Sequence, residues 1–276
     1  LPSLDAIHSE MMRIPSRTVG KRIGEPVQLT EALELRGVSF SYPGSGSRTL
    51  DQLSLKIPAK STVGLVGGSG SGKTTAIDII LGLLIPQEGQ LLVDGRQIDE
   101  ARRAGWQRSL GYVPQHIFLI DDSITANIAF GIAPSDVDHQ AVERASRIAE
   151  LHSFVVEELP DGYATEVGER GVRLSGGQRQ RIGIARALYH DPDVLVFDEA
   201  TSALDNLTET AVMRAVHNLS GEKTIILVAH RLSTIEGCDE IFVLERGRAI
   251  ANGSYRELLL RNPYFQKLAK QNSSHE

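Results

Sequence analysis

Residues 67–74 form a glycine-rich segment whose composition and spacing suit the binding of phosphate. The segment fits the pattern G-x-x-x-x-G-K-[ST] and reads Gly67, Gly68, Ser69, Gly70, Ser71, Gly72, Lys73, Thr74, with Thr75 directly after it. Glycines let the backbone curl so that successive N–H groups face phosphate oxygens, and the positive end of the following helix adds to the attraction. In such a loop Lys73 reaches the β- and γ-phosphates, and the Thr74 hydroxyl binds Mg²⁺. The segment predicts nucleotide binding rather than a flexible Gly/Ser linker, although kinases, GTPases and motor ATPases all share it.

Two adjacent carboxylates follow a short strand-like run. Val194–Phe197 is apolar and is followed by Asp198 and Glu199, and ligands of open α/β sheets bind at the carboxyl ends of the strands. Asp198 suits the binding of Mg²⁺ or its water shell. Glu199 points elsewhere because strand side chains alternate, and it suits the polarisation of an attacking water. Without the phosphate loop, solvated acids at a strand end would be the better interpretation.

A histidine follows another β-branched run in the same way. Thr224–Val228 is followed by Ala229 and His230, so we expect the imidazole at the same sheet edge as the two carboxylates. There His230 could hydrogen-bond a γ-phosphate or orient Glu199 and its water. A structural histidine with satisfied hydrogen bonds is the alternative.

Residues 174–178 predict a second helix N-terminus that suits an anion. They read Leu174, Ser175, Gly176, Gly177, Gln178. Ser175 suits the N-cap position, and the paired glycines let an external anion approach the first turn closely. One chain thus offers two phosphate sites, although a plain capped helix also explains this pentapeptide.

The segments between these motifs predict an α/β fold with two additions. Strand patterns from Leu33 to Ile57 indicate an antiparallel sheet, and a strand at 62–66 leads through the phosphate loop into a helix that runs to Pro86. Short apolar runs typical of a buried parallel sheet stand at 194–197, 224–228 and 240–244. Helical patterns stand at 137–151 and 178–189. We expect a P-loop NTPase core, a mixed or parallel sheet flanked by helices, with an antiparallel β-subdomain and an inserted helical subdomain at about 116–190.

Composition limits the classes of protein that fit. The 276 residues carry 41% apolar side chains, enough for a large core, and a formal net charge of −6. No stretch concentrates Lys and Arg, so nucleic acid is not expected as a partner. The one cysteine, Cys238, rules out an internal disulfide framework and suits a reducing compartment. No apolar run reaches the roughly 20 residues that span a bilayer. The start, Leu1 to Leu4, has neither an initiator Met nor the pattern of a signal peptide, so we expect a fragment of a longer chain in which residues 1–30 are a linker.

The motifs resemble those of the nucleotide-binding domain of ATP-binding cassette (ABC) transporters, over about residues 31–270. Residues 174–178 match the LSGGQ signature of the family without a change. Tyr42 matches the aromatic residue that stacks on adenine, and Gln115 matches the Q-loop glutamine that contacts Mg²⁺ and senses the γ-phosphate. The D-loop, which in the family crosses a dimer interface, is matched by Ser202, Ala203, Leu204 and Asp205. Six motifs in the order of the family carry the resemblance.

The resemblance implies an ATPase that uses ATP and Mg²⁺ and works as a head-to-tail homodimer. The signature at residues 174–178 of one copy would cover the ATP held by the phosphate loop of the other. Closure would align Glu199, His230 and the attacking water. Because every catalytic position is intact, two equivalent sites are expected, with a heterodimer that contains a degenerate partner as the alternative.

Other features resemble the exporter branch of the family. Residues 165–171 resemble the X-loop of exporters, and the apolar residues 117–120 suit a socket for coupling helices of a transmembrane domain on the same full-length chain. Residues 1–30 then form the junction from that domain, 31–270 the ATP-binding domain and 271–276 a tail. The expected location is the cytoplasmic face of a membrane, the bacterial inner membrane above all. Residues 78–84 resemble flippases for lipid-linked oligosaccharides, and exporters of other lipids, drugs or peptides are the alternatives for the substrate. A soluble non-transport ABC ATPase is the alternative function.

Overall fold

The computed structural model describes residues 25–168, 171, 174–199, 206–229 and 232–272 of the chain. Strands in this part of the chain belong to two sheets. In chain order they are β1 (Ala32–Phe40), β2 (Leu50–Pro58), β3 (Thr62–Val66), β4 (Glu88–Val93), β5 (Arg96–Gln97), β6 (Leu110–Val113), β7 (Val194–Asp198), β8 (Thr224–Val228), β9 (Glu240–Glu245) and β10 (Arg248–Gly253).

The smaller sheet is antiparallel and has the strand order β2-β1-β4-β5. From Leu53 to Ile57 every second residue of β2 is buried, so one face of the sheet packs on the core. Leu35 of β1 pairs with Leu55 on one side and with Leu91 on the other, which fixes the register of the sheet. This is the antiparallel sheet that the strand patterns predicted.

The larger sheet is mixed and has the strand order β10-β9-β3-β8-β7-β6. Strands β9 to β6 run parallel to their neighbours, whereas β10 is antiparallel to β9. Strands β3, β7 and β8 are buried along their whole length, as expected where helices cover both faces of a parallel sheet. Because these three strands are parallel neighbours, their carboxyl ends reach the same edge of the sheet.

Helices alternate with the strands of the larger sheet and also form a group between β6 and β7 that packs on the sheet through α6 (Gly176–Leu188). In chain order they are α1 (Lys73–Ile80), α2 (Glu100–Arg108), α3 (Ile124–Ile128), α4 (His139–Ile148), α5 (His152–Glu158), α6 (Gly176–Leu188), α7 (Asn206–Asn218), α8 (Tyr255–Arg261) and α9 (Pro263–Asn272), with 3₁₀ turns at Pro134–Asp136, Gly162–Ala164 and Leu232–Ile235. Helices α3 and α4 pack against α6, and α5 packs against α4. None of the described helices has the length and apolar character of a membrane span. The predicted α/β fold with an antiparallel β-subdomain and an inserted helical subdomain is confirmed.

The helix that follows the phosphate loop is shorter than the sequence pattern indicated. It ends at Ile80 rather than near Pro86, because Gly82 adopts a φ of 67° and the Leu83 N–H turns back to the Asp78 carbonyl at 2.8 Å. The indole N–H of the fully buried Trp106 donates to the Ile80 carbonyl at 2.7 Å, so a side chain from α2 stabilises this helix end.

The helix expected at 137–151 is also shorter. It begins at His139, because the Asp138 carboxylate caps it by accepting from the Gln140 and Ala141 N–H groups. It ends at Ile148, two residues before Glu150, whose φ of 54° cannot continue a right-handed helix. The helix expected from residue 178 begins earlier, at Gly176.

Candidate functional site

The carboxyl ends of β3, β8 and β7 bring three loops to one edge of the larger sheet. Leu65 of β3 pairs with Val228 of β8, and Val228 pairs in turn with Asp198 of β7. The phosphate loop leaves this edge after Val66, and Glu199 follows Asp198 on the same edge. The sheet thus brings together the two motifs that the sequence predicted to meet.

Close packing makes glycine necessary at two positions of the phosphate loop. A Cβ atom added at Gly67 would lie 2.3 Å from the Leu244 carbonyl oxygen, and one at Gly72 would lie 2.7 Å from Leu50 Cδ2. Gly72 also has a φ of 101° at the N-cap of α1 and caps no N–H with a side chain. The first turn of α1 therefore opens toward the loop with uncapped N–H groups, which suits an anion.

Ser71 gives a second indication that the loop is shaped for a polar ligand. Its Oγ atom is buried and has no hydrogen-bond partner within the part of the chain that the structure describes. A buried hydroxyl without a partner is unfavourable. A phosphate oxygen in the loop would supply the missing partner.

The Lys73 ammonium lies inside the loop and is only 6% exposed. Its Nζ atom donates to the carbonyl oxygens of Gly67 and Gly68, at 2.8 and 3.3 Å. Burial lowers the pKa of Lys73, and the carboxylates of Glu199 and Asp198 partly oppose this change. The Lys73 ammonium therefore interacts electrostatically with the carboxylates of Asp198 and Glu199 at the sheet edge.

Asp198 is buried at the end of β7, and a tyrosine of β6 donates to it. Burial raises the pKa of Asp198, and the neighbouring Glu199 carboxylate raises it further. The Tyr112 hydroxyl lies 3.4 Å from Asp198 Oδ2, and burial together with this carboxylate raises the pKa of Tyr112 to about 12. Sequence reasoning missed Tyr112, although its place three residues before Gln115 could have pointed to it.

Glu199 is held by its backbone and by the amide of Gln115. Its N–H donates to the Val228 carbonyl at 3.0 Å, and its φ is 51°, in the left-handed region. The Gln115 Nε2 group donates to Glu199 Oε2 at 2.7 Å. The carboxylate is thus aimed by a backbone turn at the end of the strand, and not only by the alternation of side chains along β7.

Tyr42 stands beside the start of α1. Its ring is 41% exposed and packs edge-on against Phe40, with ring centroids 5.1 Å apart. Its hydroxyl shares a hydrogen bond of 3.2 Å with Thr75 Oγ1, whereas Thr74 is exposed at the loop. The ring is therefore fixed next to the phosphate loop with surface left for stacking.

Residues 174–178 start α6 with a capping box. The Gln178 N–H donates to Ser175 Oγ at 3.2 Å, and the Ser175 N–H donates to Gln178 Oε1 at 2.7 Å. The predicted N-cap role of Ser175 is correct, and Gln178 has a structural role that the sequence interpretation did not foresee. Among the described residues, no hydrogen bond joins this pentapeptide to the phosphate loop of the same chain.

The segment after Gln115 is tied to helix α6, which Ser175 caps. Arg186 of α6 donates to the Phe118 carbonyl at 2.9 Å and to the Asn127 carbonyl at 2.8 Å. The side chain of buried Asn127 exchanges two hydrogen bonds with the Ile120 backbone, both of 3.0 Å. These hydrogen bonds hold the segment after Gln115 and helix α6 together as one structural unit.

The apolar run at 117–120 is not wholly at the surface. Leu119 is buried, whereas Phe118 is 62% exposed. Phe130 is also exposed, with the Arg186 guanidinium 4.8 Å from the centre of its ring. Phe118 and Phe130 are therefore two exposed apolar side chains of this part of the protein.

Several predicted residues lie outside the described part of the chain. These are His230 and the D-loop residues Ser202, Ala203, Leu204 and Asp205. Two residues of the predicted X-loop, Glu169 and Arg170, also lie outside it. Their proposed roles stay predictions.

The comparisons of this chain with known proteins agree with one another on its family. A family model described as ABC transporter matches residues 50–202. The chain is 43% identical over 232 residues to an ATP-dependent lipid A-core flippase of Cupriavidus metallidurans, with 84% of this chain and 39% of that protein covered. It is 43% identical over 231 residues to the heterocyst differentiation ATP-binding protein HepA of Nostoc sp., with 84% and 37% covered. A solved structure of a bacterial Atm1-family ABC exporter with ATP bound superposes with a TM-score of 0.86 at 35% identity, over 98% of this chain and 47% of that one. The chain spans about two fifths of the length of these curated relatives.

Proposed function

This chain belongs to the ABC transporter family, and we propose that it is the ATP-binding and ATP-hydrolysing domain of an exporter, of which two copies enclose ATP to drive transport across a membrane. This proposal rests on one observation: a cation, two carboxylates and an amide lie together at one sheet edge beside the phosphate loop. These groups belong to Lys73, Asp198, Glu199 and Gln115. A cation for phosphates and a carboxylate for water are the two requirements of phosphoryl transfer to water.

We assign binding of ATP to two groups of residues. The loop Gly67–Thr74 and the start of α1 suit the phosphates, since they combine Lys73, uncapped N–H groups and the Ser71 hydroxyl without a partner. The exposed face of the Tyr42 ring suits adenine.

A magnesium ion fits the donors at this site. The Asp198 carboxylate, the Thr74 hydroxyl and the Gln115 amide are oxygen donors of the kind that Mg²⁺ prefers. Burial and the Glu199 charge raise the pKa of Asp198, so a bound cation would relieve repulsion between the two carboxylates. Described residues contain no group of three His, Cys, Asp or Glu that could hold a metal alone, which agrees with an ion held largely by phosphates and water. When bound, Mg²⁺ would neutralise charge that develops on the phosphates.

Glu199 is the residue that we assign to the attacking water. Its carboxylate lies at the end of β7, beside the phosphate loop, and is held by the Gln115 amide at 2.7 Å. A carboxylate fixed in this way can accept a proton or hydrogen bond from water aimed at the γ-phosphate. His230 is proposed to orient Glu199 and the γ-phosphate.

A second copy of the chain is the proposed source of the signature residues. Each chain has two helix starts that suit an anion, α1 and α6, and within one chain no hydrogen bond among described residues connects them. A head-to-tail homodimer would place Ser175, Gly176 and Gly177 of one copy over ATP bound to the other. Residues 202–205 are proposed to lie at that interface.

The membrane partner is proposed to bind near Phe118 and Phe130. These two exposed rings lie on the unit that Arg186 and Asn127 tie together, so a coupling helix seated there would be linked to both Gln115 and α6. We propose a transmembrane domain on the same full-length chain, at the cytoplasmic face of the bacterial inner membrane. The relatives named lipid A-core flippase favour a lipid or lipid-linked saccharide as substrate and disfavour a soluble non-transport ATPase.

Replacement of Lys73 with Ala tests the proposed nucleotide site. We expect the dissociation constant for MgATP to rise about 10- to 100-fold, because a charge-assisted hydrogen bond to phosphate contributes about 1.5–3 kcal/mol. Equilibrium titration with a fluorescent ATP analogue measures it. Lys56→Ala, which removes an exposed lysine of β2, is the control and should bind like wild type. Equal affinity of Lys73→Ala and wild type would contradict the phosphate-loop assignment.

Replacement of Tyr42 tests the proposed adenine contact. Tyr42→Ala should weaken ATP binding by about 1–3 kcal/mol, the usual value of one base stacked on an aromatic ring. Tyr42→Phe keeps the ring and loses only the hydrogen bond to Thr75, so it should stay close to wild type. The catalytic rate at saturating ATP should change little in either variant. If Tyr42→Ala binds ATP as wild type does, the base is held elsewhere.

A further inference from the structure

The C-terminal helix α9 places a tyrosine hydroxyl on the phosphate loop. The Gly68 N–H donates to the Tyr264 hydroxyl oxygen at 3.2 Å, across 196 residues of the chain. A Cβ atom added at Gly68 would lie 3.3 Å from the same oxygen, so the hydroxyl packs directly on the loop backbone. Tyr264 also lies outside residues 50–202, which the family model matches.

The peptide group that Tyr264 contacts is also the one that holds Lys73. The Gly68 N–H and the Gly67 carbonyl belong to one planar trans peptide, so they point in opposite directions. The N–H donates to Tyr264, and the carbonyl accepts from Lys73 Nζ at 2.8 Å. The Gly68 carbonyl, in the next peptide, accepts from the Ser71 N–H at 3.2 Å. The Gly67–Gly68 peptide is thus held by Tyr264 at its N–H group and by Lys73 at its carbonyl group.

The backbone that carries Tyr264 is itself anchored in the core. The next residue, Phe265, is fully buried, and its ring packs edge-on against Tyr255 of α8 with centroids 5.5 Å apart. The Phe265 N–H donates to Asn262 Oδ1 at 2.8 Å, and the Gln266 side chain donates to the Leu259 carbonyl at 2.7 Å. The hydroxyl is therefore held in place before any ligand binds, which is the condition for a residue that positions another group.

We propose that Tyr264 is a positioning residue for ATP binding, whose hydroxyl sets the orientation of the Gly67–Gly68 peptide and through it the direction of the Lys73 ammonium. This proposal rests on the proposed function of the phosphate loop. It makes the C-terminal helix α9 part of the nucleotide site through the contact between Tyr264 and Gly68.

The variant Tyr264→Phe tests the proposal because it keeps the ring and removes only the hydroxyl. Tyr255→Phe is the matched control: it makes the same change on the neighbouring helix, where the hydroxyl interacts with the Glu236 carboxylate and not with the loop. We expect Tyr264→Phe to raise the dissociation constant for MgATP about 3- to 10-fold, the range of one neutral hydrogen bond. The catalytic rate at saturating ATP should stay within about twofold of wild type, because the bond acts on binding. Tyr255→Phe should change neither quantity.

Thermal unfolding without nucleotide separates positioning from stability. Both variants are expected to unfold at nearly the same temperature, so a weaker affinity of Tyr264→Phe alone would identify a local effect on the loop. An affinity of Tyr264→Phe equal to wild type, or an equal loss in both variants, would overturn the proposal. Failure of the wild-type protein to bind MgATP would instead overturn the proposed function itself.

Discussion

Glu199→Gln is expected to leave MgATP binding nearly unchanged and to lower the rate of ATP hydrolysis by about 10²- to 10⁴-fold, the usual contribution of a general base. The new side chain has the same shape, and its amide oxygen can still accept the hydrogen bond that Gln115 now donates at 2.7 Å. The variant loses only the negative charge that would draw a proton from water. Phosphate release at saturating ATP and a binding titration together measure the two effects.

A remote glutamate provides the control for this variant. Glu222 is exposed in the turn before β8, so Glu222→Gln should hydrolyse ATP at the wild-type rate. A turnover of Glu199→Gln within a few-fold of wild type would remove Glu199 from the role that we propose.

Addition of MgATP should convert the Glu199→Gln variant from monomer to dimer. If the site is composite, ATP that is bound but not hydrolysed holds the two copies together, and wild-type hydrolysis should rise faster than linearly with protein concentration. Ser175→Arg places a bulky cation at the start of α6 and should abolish dimerisation, with a loss of hydrolysis of at least about 10²-fold. It should spare ATP binding, because Ser175 is not part of the phosphate loop of its own chain.

The control for Ser175→Arg has to lose the same kind of helix cap. Ser254 and Glu257 form a second capping box at the start of α8, with the same two reciprocal hydrogen bonds. Ser254→Arg loses about 1 kcal/mol of cap stabilisation but lies outside the signature, so it should still dimerise and hydrolyse ATP. Sedimentation velocity with and without MgATP is the deciding measurement. A monomer in both conditions, with specific activity independent of concentration, would contradict the composite site.

Features that depend on local pattern were predictable from the sequence. The apolar run at 194–197 predicted the strand that delivers Asp198, and the spacing within 67–74 predicted a loop that leads into a helix. Ser175 was recognisable as an N-cap because capping depends on residues three apart. The same locality explains why β1, β2, β3, β7, β8 and β9 were predicted, whereas β4, β5, β6 and β10 were not.

Features that depend on contacts between distant segments were not predictable. The Tyr264 contact with Gly68 spans 196 residues. Neither a tyrosine nor a glycine in the sequence indicates which distant residue it will contact. The early end of α1 at Ile80 depends on Trp106 of another helix. Burial of Leu119 beside exposed Phe118 depends on how the helical subdomain packs. Such outcomes are decided by tertiary packing, which overrides single-residue preference.

The left-handed backbone at Glu199 also bears on how this domain evolves. A glutamate with a φ of 51° costs about 1 kcal/mol relative to glycine, which adopts this region without steric penalty. Replacement of Glu199 by glycine would therefore relieve this strain, whereas other changes that remove the carboxylate keep the Cβ atom and the strain. A gene copy released from selection for turnover would be expected to accept glycine at this position while its product remains well folded.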